Sequence, residues 1–212
     1  MAKVKGELGN NFCPQSLYLY GNYEEDGTPH FGLFSWFGWC WLGEGAGALG
    51  VMACIGEEKT TKDLIRKTGM FSANLVNEAL LPLADYYGTT PGRETPEKMQ
   101  RLPAVEQGQA LNVPTIAQSP VSLELKVVKE ETLSSCRLED GGAESSSTLF
   151  LCQVVNVTID ERLQDANTPF IQRLRLAAPV ISPGEEHYAS VDGQDLGTWG
   201  EPRKKLDIPQ GI

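Results

Sequence analysis

The sequence is poor in the residues that metal centres and nucleophilic active sites need. Its 212 residues include only two histidines and five cysteines, and no two cysteines form a C-x-x-C pair. Neither His30 nor His187 is near a cysteine or the other histidine, so a zinc site has little support. No Ser-His-Asp or Cys-His arrangement is supported either, which argues against a hydrolase. We therefore predict no metal site and no catalytic side chain.

Positive charge and long apolar runs are also scarce. The chain has 18 Lys and Arg against 28 Asp and Glu, a formal net charge of -10. Such a chain repels a phosphate backbone and an anionic bilayer, so nucleic acid is not an expected partner. No apolar run approaches the roughly 20 residues of a membrane span, and the first residues lack a signal-peptide core. With cysteines odd in number and widely spaced, reduced thiols and a cytoplasmic location without membrane contact are expected.

Strand-like segments dominate what the sequence does contain. Strands are predicted at 16–20, 31–41, 48–55, 70–75, 121–128 and 148–159. The aromatic stretch 31–41 is predicted as one bulged barrel strand, since its glycines suit a bulge or a closely approaching ligand. The continuously apolar run 48–55 indicates a strand that is buried on both faces.

Two short helices are predicted between the strands. The first follows a capping box with Thr60 as the cap and Asp63 as its carboxylate, and it ends at Gly69. The second covers Asn77 to Gly88, where Pro82 predicts a late start or a bend. Many strands with few helices favour a mainly antiparallel β-barrel with helical inserts.

Chain length favours a single domain over 1–212. Within it, the Pro- and Gly-rich stretch at about 89–110 is predicted as a surface excursion with a helical turn at 96–100. A C-terminal extension is predicted from about 165, and the polar segment 139–147 is predicted as a flexible loop.

The junction at 55–63 is the best candidate for a binding site on physical grounds. Lys59, Thr60, Thr61 and Lys62 combine lysines and hydroxyls with the amides of a helix start, an arrangement suited to an anion. The alternative is that Thr60 only caps the helix and the lysines are solvated. Asn74, within an apolar strand, needs buried partners that either backbone or a ligand would supply.

Aromatic residues offer a second candidate surface. Phe34, Trp36, Trp39 and Trp41 would form an apolar wall for a planar ring, although a barrel interior or a dimer seam explains them equally well. A chain without a nucleophile or metal can still be an enzyme when an organic cofactor performs the chemistry.

Four motifs, taken in order, resemble the flavin-reductase-like FMN-binding family. They are Cys-Pro-Gln-Ser-Leu-Tyr-Leu-Tyr-Gly at 13–21, Asp-Gly-Thr-Pro-His-Phe-Gly-Leu-Phe-Ser-Trp at 26–36, Glu-Lys-Thr-Thr-Lys-Asp-Leu-Ile at 58–65 and Gly-Met-Phe-Ser-Ala-Asn-Leu at 69–75. Later segments at 111–116, 178–181 and 187–188 extend the resemblance over nearly the whole chain. One departure is His30, where many relatives carry Asn.

This resemblance implies a split β-barrel that works as a homodimer, with FMN at the subunit interface. It implies that the turn with the Lys-Thr-Thr-Lys motif holds the phosphate and that the flavin edge lies near the Phe-Ser-Ala-Asn strand. The implied cofactor contacts are Phe34, Ser35, Trp36, Lys59, Thr60, Thr61, Lys62, Ser72, Ala73 and Asn74.

Two functions follow from the resemblance, and the sequence does not separate them. In the first, NADH or NADPH reduces bound FMN, which passes electrons to flavin or to another small-molecule or protein acceptor. In the second, the protein is a flavoredoxin-like electron carrier or flavin-binding protein without nicotinamide-dependent turnover. A third possibility is a barrel whose ligand site is empty or adapted to another molecule.

Overall fold

A computed structural model describes residues 2–45, 48–56, 59–92, 94–133, 147–191, 193–199 and 201–202. The predicted loop at 139–147 lies outside these residues except for its last position.

The described residues form twelve strands, three α-helices and two short 3-10 helices. The strands are β1 Gln15–Ser16, β2 Tyr18–Tyr23, β3 Pro29–Phe34, β4 Phe37–Trp41, β5 Leu49–Ile55, β6 Met70–Leu75, β7 Val105–Gln107, β8 Pro114–Ile116, β9 Val121–Thr132, β10 Thr148–Ile159, β11 Val180–Gly184 and β12 His187–Ser190. The helices are α1 Thr60–Thr68, α2 Leu81–Thr89 and α3 Phe170–Ala177, with 3-10 helices at Pro96–Gln100 and Glu161–Leu163. The expected mainly β class with helical inserts is confirmed.

Seven strands form one antiparallel sheet in the order β3-β2-β6-β9-β10-β5-β4. Its two edge strands, β3 and β4, are consecutive in sequence and are joined by Ser35 and Trp36, so the sheet curls until its edges approach each other. Tyr20 bridges the gap, with its ring centroid 4.6 Å from that of Phe34 and 6.4 Å from that of Phe37. Side chains rather than a hydrogen-bond ladder therefore close this side of the barrel.

The prediction of a single strand at 31–41 is wrong. At Ser35 and Trp36 the chain leaves one edge of the sheet and starts the opposite edge, where the Cys54 backbone N–H donates to the Trp36 carbonyl at 3.0 Å. The expectation that 48–55 is buried on both faces also fails at Met52, which is 39% exposed because it lies on the outer face.

Alternate residues of the sheet fill the barrel, as the period of a strand requires. Phe71, Leu125, Phe150 and Cys152 are fully buried there, and Ile65 of α1 joins the same cluster. Burial of α1 against the barrel fixes where this helix begins, and that start forms part of the site described below.

The start of α1 differs from the sequence expectation. Lys59 is the N-cap residue, with an extended backbone and no side-chain capping bond, and Thr60 is already helical. The capping box with Thr60 as the cap is therefore wrong. The predicted end is confirmed, because Gly69 adopts a left-handed conformation (φ 67°) that closes the last turn.

Helix α2 lies on the outer face of the barrel beside β3. Ala84 and Tyr87 pack with Leu19 and Phe31 in a second apolar cluster. As predicted, the helix starts late: it begins at Leu81, with Pro82 in its first turn, where the missing N–H costs little. This packing places the end of α2 opposite the start of α1.

A separate small sheet, in the order β1-β11-β12, joins β1 from the N-terminal region to the hairpin β11–β12 near the C-terminus. The predicted helical turn at 96–100 is confirmed as a 3-10 helix. Assignment of 1–212 to one domain stays a prediction. None of the helices in the described ranges is long and apolar enough to cross a bilayer.

Candidate functional site

Two adjoining cavities lie where β3, the start of α1 and the end of α2 meet. The larger has a volume of about 700 Å³ and the smaller a volume of about 380 Å³. Both are lined by Leu33, Phe34, Lys59, Gly88 and Thr89, so they share a wall. Their sizes fall within the range of typical ligand sites.

The smaller cavity is rich in groups that bind anions. Lys59, Thr60 and Thr61 line it at the start of α1, where the first backbone N–H groups of the helix have no partners within the helix. Gly32 of β3 faces Thr61 so closely that a Cβ on the glycine would lie 2.6 Å from the Thr61 hydroxyl. The absence of a side chain there lets α1 approach the strand.

Lys98 is a buried cation of the smaller cavity that the sequence did not identify. Its Nζ donates to the carbonyl oxygens of Tyr87 (2.6 Å) and Thr90 (2.8 Å) and lies 5.7 Å from the centre of the Tyr87 ring. Burial lowers the pKa of Lys98, and neighbouring Lys59 adds to this effect. An ammonium has three donors, and the hydrogen bonds that Lys98 makes within the described ranges use two of them.

His30 also lines the smaller cavity and is almost fully buried. Its Nδ1 lies 3.1 Å from the Glu24 carboxylate. Burial lowers the pKa of His30, while the hydrogen bond and charge of Glu24 oppose that shift and Lys98 reinforces it. The net direction is downward, which favours the neutral ring when no ligand is bound.

The larger cavity has an aromatic wall on the barrel side. Phe34, Ser35, Trp36 and Cys54 line it, and Trp36 is 55% exposed. Behind this wall, Tyr20 stacks on Phe34 and limits its movement. Such a wall suits a flat ring.

The opposite side of the larger cavity comes from α2 and the β11–β12 hairpin. Asp85, His187 and Tyr188 line it there, and the Tyr188 hydroxyl donates to Asp85 Oδ1 at 2.7 Å. Burial, followed by the hydrogen bond and charge of Asp85, raises the pKa of Tyr188 to about 12. This bond fixes the hairpin against α2.

Six of the ten predicted contacts come together around these cavities. Ser35 and Trp36 line the larger cavity, and Thr60 and Thr61 line the smaller. Phe34 and Lys59 line both cavities. Lys62 has 0% exposure and lines neither cavity.

Ser72, Ala73 and Asn74 of β6 are buried and line neither cavity. The amide of Asn74 donates to the Leu19 carbonyl (3.0 Å), and its oxygen accepts from the Ile116 backbone N–H (3.0 Å). Ser72 donates to a backbone carbonyl, that of Pro114. Protein groups therefore satisfy these side chains without a ligand.

The thiols near the site have little thiolate character at neutral pH. Burial raises the pKa of Cys54, which lines the larger cavity, and raises that of Cys152 in the barrel core to about 12. A fifth cysteine, Cys136, lies outside the described residues. Across the described ranges, no cluster of three or more His, Cys, Asp or Glu side chains is arranged to hold a metal ion.

A family model described as a flavin reductase like domain matches residues 47–175. Flavoredoxin from Methanosarcina acetivorans superposes with a TM-score of 0.76 at 18% identity, covering 97% of this chain and 100% of that chain. Flavoredoxin of Desulfovibrio vulgaris (Miyazaki F) gives 0.72 at 23% identity, with coverage of 95% and 98%. An FMN-binding protein from Thermus thermophilus with bound p-hydroxybenzaldehyde gives 0.67 at 18% identity, with coverage of 93% and 99%. No curated protein sequence matches significantly. The shared fold confirms the split β-barrel.

Proposed function

Because the chain belongs to the flavin reductase-like domain family, we propose that it binds FMN and passes electrons from NADH or NADPH to flavin or another acceptor. The observation that carries this proposal is the pairing of the two cavities. One end is cationic and rich in hydroxyls, the other is aromatic, and Phe34 and Lys59 belong to both. A molecule with a phosphate at one end and a flat ring at the other matches this pairing.

At the phosphate end we assign contacts to Lys59, Thr60, Thr61 and Lys98. Hydroxyls, ammonium groups and helix amides together form an anion site in which each group donates to a phosphate oxygen. Lys62 is omitted because its side chain is fully buried and lines neither cavity. The chemistry of this donor set fits a phosphate monoester.

At the ring end we assign contacts to Phe34, Ser35 and Trp36. The two aromatic rings offer flat apolar surface, and Ser35 supplies a polar group between them. Ser72, Ala73 and Asn74 are omitted, because they line neither cavity and protein groups satisfy the side chains of Ser72 and Asn74. We place the second substrate beside the ring in this larger cavity, which has a volume of about 700 Å³.

The protein supplies binding and orientation in this scheme. When bound, FMN supplies a ring that accepts a hydride and releases electrons singly or in pairs. Phe34 and Trp36 orient the ring, and the hairpin held by the Tyr188–Asp85 bond limits water on its outer side. The raised pKa of Cys54 keeps the thiol that lines this cavity protonated, so we assign it no role in electron transfer.

We propose a homodimer with the flavin near its interface. Trp36, just before the edge strand β4, is 55% exposed, and Trp39 and Trp41 within the strand are 53% and 76% exposed. We call the surface formed by these three tryptophans the β4 edge. An edge strand with large exposed aromatics is a surface that a second chain covers. Because Trp36 belongs to both the β4 edge and the larger cavity, a partner seated there would reach the site.

A second candidate is an FMN electron carrier without nicotinamide-dependent turnover. Its support is the similarity to two flavoredoxins over almost the full length of both chains. The acceptor would be a small molecule or a protein, and a cytoplasmic location stays a prediction.

Anaerobic bleaching of the FMN-loaded protein distinguishes the two candidates. NADH or NADPH at a low multiple of the protein concentration should bleach the flavin absorbance within seconds if the protein is a reductase. Dithionite serves as the positive control. Bleaching by dithionite alone would reject the reductase and favour the carrier.

A further inference from the structure

His30 occupies a defined place in the smaller cavity. It lies on β3 opposite the start of α1, and its side chain is 7% exposed. The imidazole is held from one side, because its Nδ1 lies 3.1 Å from Glu24 Oε1. With Nδ1 engaged by the carboxylate, Nε2 is the ring atom left to meet a ligand in the cavity.

The charged and titratable groups around His30 come from every element packed against it. In the described residues these are Glu24 from the β2–β3 turn, Lys59 from the start of α1, Tyr87 from α2, Glu94 from the connection after α2 and Lys98 from the 3-10 helix. Burial and the charge of Lys98 disfavour a positive charge on His30, whereas Glu24 favours it. An arriving phosphate dianion reverses this balance, since it attracts the protonated imidazole as well as Lys98.

We propose that His30 is a further ligand for the phosphate end of FMN, and that FMN binding transfers one proton from solvent to its imidazole. The inference rests on the proposed function. In the bound state, Nε2–H donates to a phosphate oxygen and Nδ1–H donates to Glu24, so both ring nitrogens carry protons. The new N–H bond takes its proton from hydronium or a buffer acid, whose own bond to that proton breaks, and no other covalent bond changes.

Glu24 acts as a positioning residue in this arrangement. Its carboxylate fixes the ring orientation and favours the doubly protonated imidazole, in the manner of an acid that supports a histidine ligand. Removal of that charge should therefore shift proton uptake to lower pH while leaving the cavity lining in place.

Isothermal calorimetry in two non-phosphate buffers of different ionisation enthalpy measures the proton uptake. At pH 7.5 the FMN phosphate is already mostly dianionic, since its second pKa is about 6, so uptake reports the protein. We expect the protein to take up nearly one proton for each FMN that binds. Riboflavin, which lacks the phosphate, should cause almost no uptake.

Variants identify the group that takes up the proton. His30→Asn should abolish the uptake and weaken FMN by about tenfold, the loss expected for one charge-assisted hydrogen bond, with riboflavin affinity unchanged. His187→Asn, at the only other histidine, should keep the uptake. Glu24→Gln should move the pH of maximal uptake downward, and this shift decides the question if His30→Asn fails to fold.

The outcomes separate this inference from the proposed function. FMN binding without proton uptake, or uptake that survives in His30→Asn, would overturn the role of His30 and leave the flavoprotein standing. Absence of FMN binding at every pH would overturn both.

Discussion

Lys98 in the smaller cavity has a structural role, and in the proposed function it also contacts the phosphate of FMN. Its ammonium joins the end of α2 to the connection behind it through two backbone carbonyls. The same ammonium lines the cavity next to Lys59. A buried lysine with partners on one side and a cavity on the other is well placed to meet an anion.

Lys98→Ala should weaken FMN by about 1–3 kcal/mol, because a charged hydrogen bond to the phosphate is lost. Riboflavin should bind to the variant as it does to the wild type. Fluorescence titrations with both flavins measure the difference, and a thermal melt monitors the structural contribution of the two carbonyl contacts. If the variant binds FMN and riboflavin more weakly by the same factor, Lys98 has only a structural role.

The sequence predicted Lys59, Thr60, Thr61 and Lys62 as an anion site because lysines and hydroxyls come together at a helix start, and the first three of them line the smaller cavity. Lys98 has no such signal, since a lysine in a polar Pro-Glu-Lys-Met-Gln turn resembles any solvated lysine. Its place depends on how the 89–110 segment folds back onto α2. Asn74 shows the converse: its need for buried partners was predictable, but the fact that protein groups supply them was not.

At the scale of elements, buried polar side chains hold the loops that surround the barrel. Glu124 on β9 accepts backbone N–H bonds from Gln109 (2.8 Å), Ala110 (2.9 Å) and Leu111 (2.6 Å), and the side chain of Asn156 donates to it at 2.7 Å. Burial alone would raise the pKa of Glu124, but these four hydrogen bonds lower it, and the net shift is downward.

Glu124→Gln should therefore destabilise the protein in a pH-dependent way. Because the folded-state pKa lies below the unfolded value of about 4.3, the carboxylate stabilises fully above about pH 5, and this contribution is lost as pH falls through the folded-state pKa. The expected loss is about 1–3 kcal/mol at pH 7 and shrinks in acid. Urea unfolding at pH 7 and in acid measures the loss of unfolding free energy. Glu106→Gln, at an exposed position, is the matched control. A loss of the same size at pH 7 and in acid would show that the charge of Glu124 does not stabilise the fold.

The β11–β12 hairpin contains backbone strain at its turn. Strand pairing joins Gly184 to His187, so Glu185 and Glu186 form a two-residue loop, and their φ values are 50° and 58°. Two-residue hairpin loops of this kind favour Asn and Gly, because other side chains are strained at positive φ.

Glu186→Gly should raise the free energy of unfolding by about 1 kcal/mol through relief of that strain. For a chain of this length the gain corresponds to a rise in melting temperature of roughly 2–4 °C. Glu106→Gly, at an exposed strand position, is the control and should lower the melting temperature. Destabilisation by Glu186→Gly would indicate that contacts of the glutamate outweigh the strain.

Some boundaries of helices and strands were predicted correctly and others were missed, and each outcome has a physical reason. The end of α1 at Gly69 was predicted correctly, because glycine readily adopts the left-handed conformation that closes a helix. The break at Ser35 and Trp36 was missed, because the residues on both sides are aromatic and favour strands. Only the closure of the sheet determines that the two halves belong to opposite edges.

At the scale of the whole molecule, the split in the barrel brings the site and the exposed aromatics together. Ser35 and Trp36 connect the two sheet edges, line the larger cavity and lead into the β4 edge. A homodimer formed there would cover the tryptophans and complete the outer wall of the site.

Trp39→Glu should convert the proposed dimer to a monomer, because a charge at the centre of an aromatic contact must be desolvated. Light scattering behind size exclusion measures the mass at low micromolar concentration, and Trp39→Phe is the conservative control that should stay dimeric. A wild-type protein that is monomeric with FMN bound would exclude the interface.

Comparison of FMN with riboflavin shows whether the paired cavities bind a flavin through its phosphate. Titration of flavin-free protein at pH 7, monitored by flavin fluorescence, gives both dissociation constants. We expect FMN to bind at least about tenfold more tightly than riboflavin, equivalent to about 1.4 kcal/mol or more from the phosphate contacts. Equal affinities, or no binding of either flavin, would contradict this expectation.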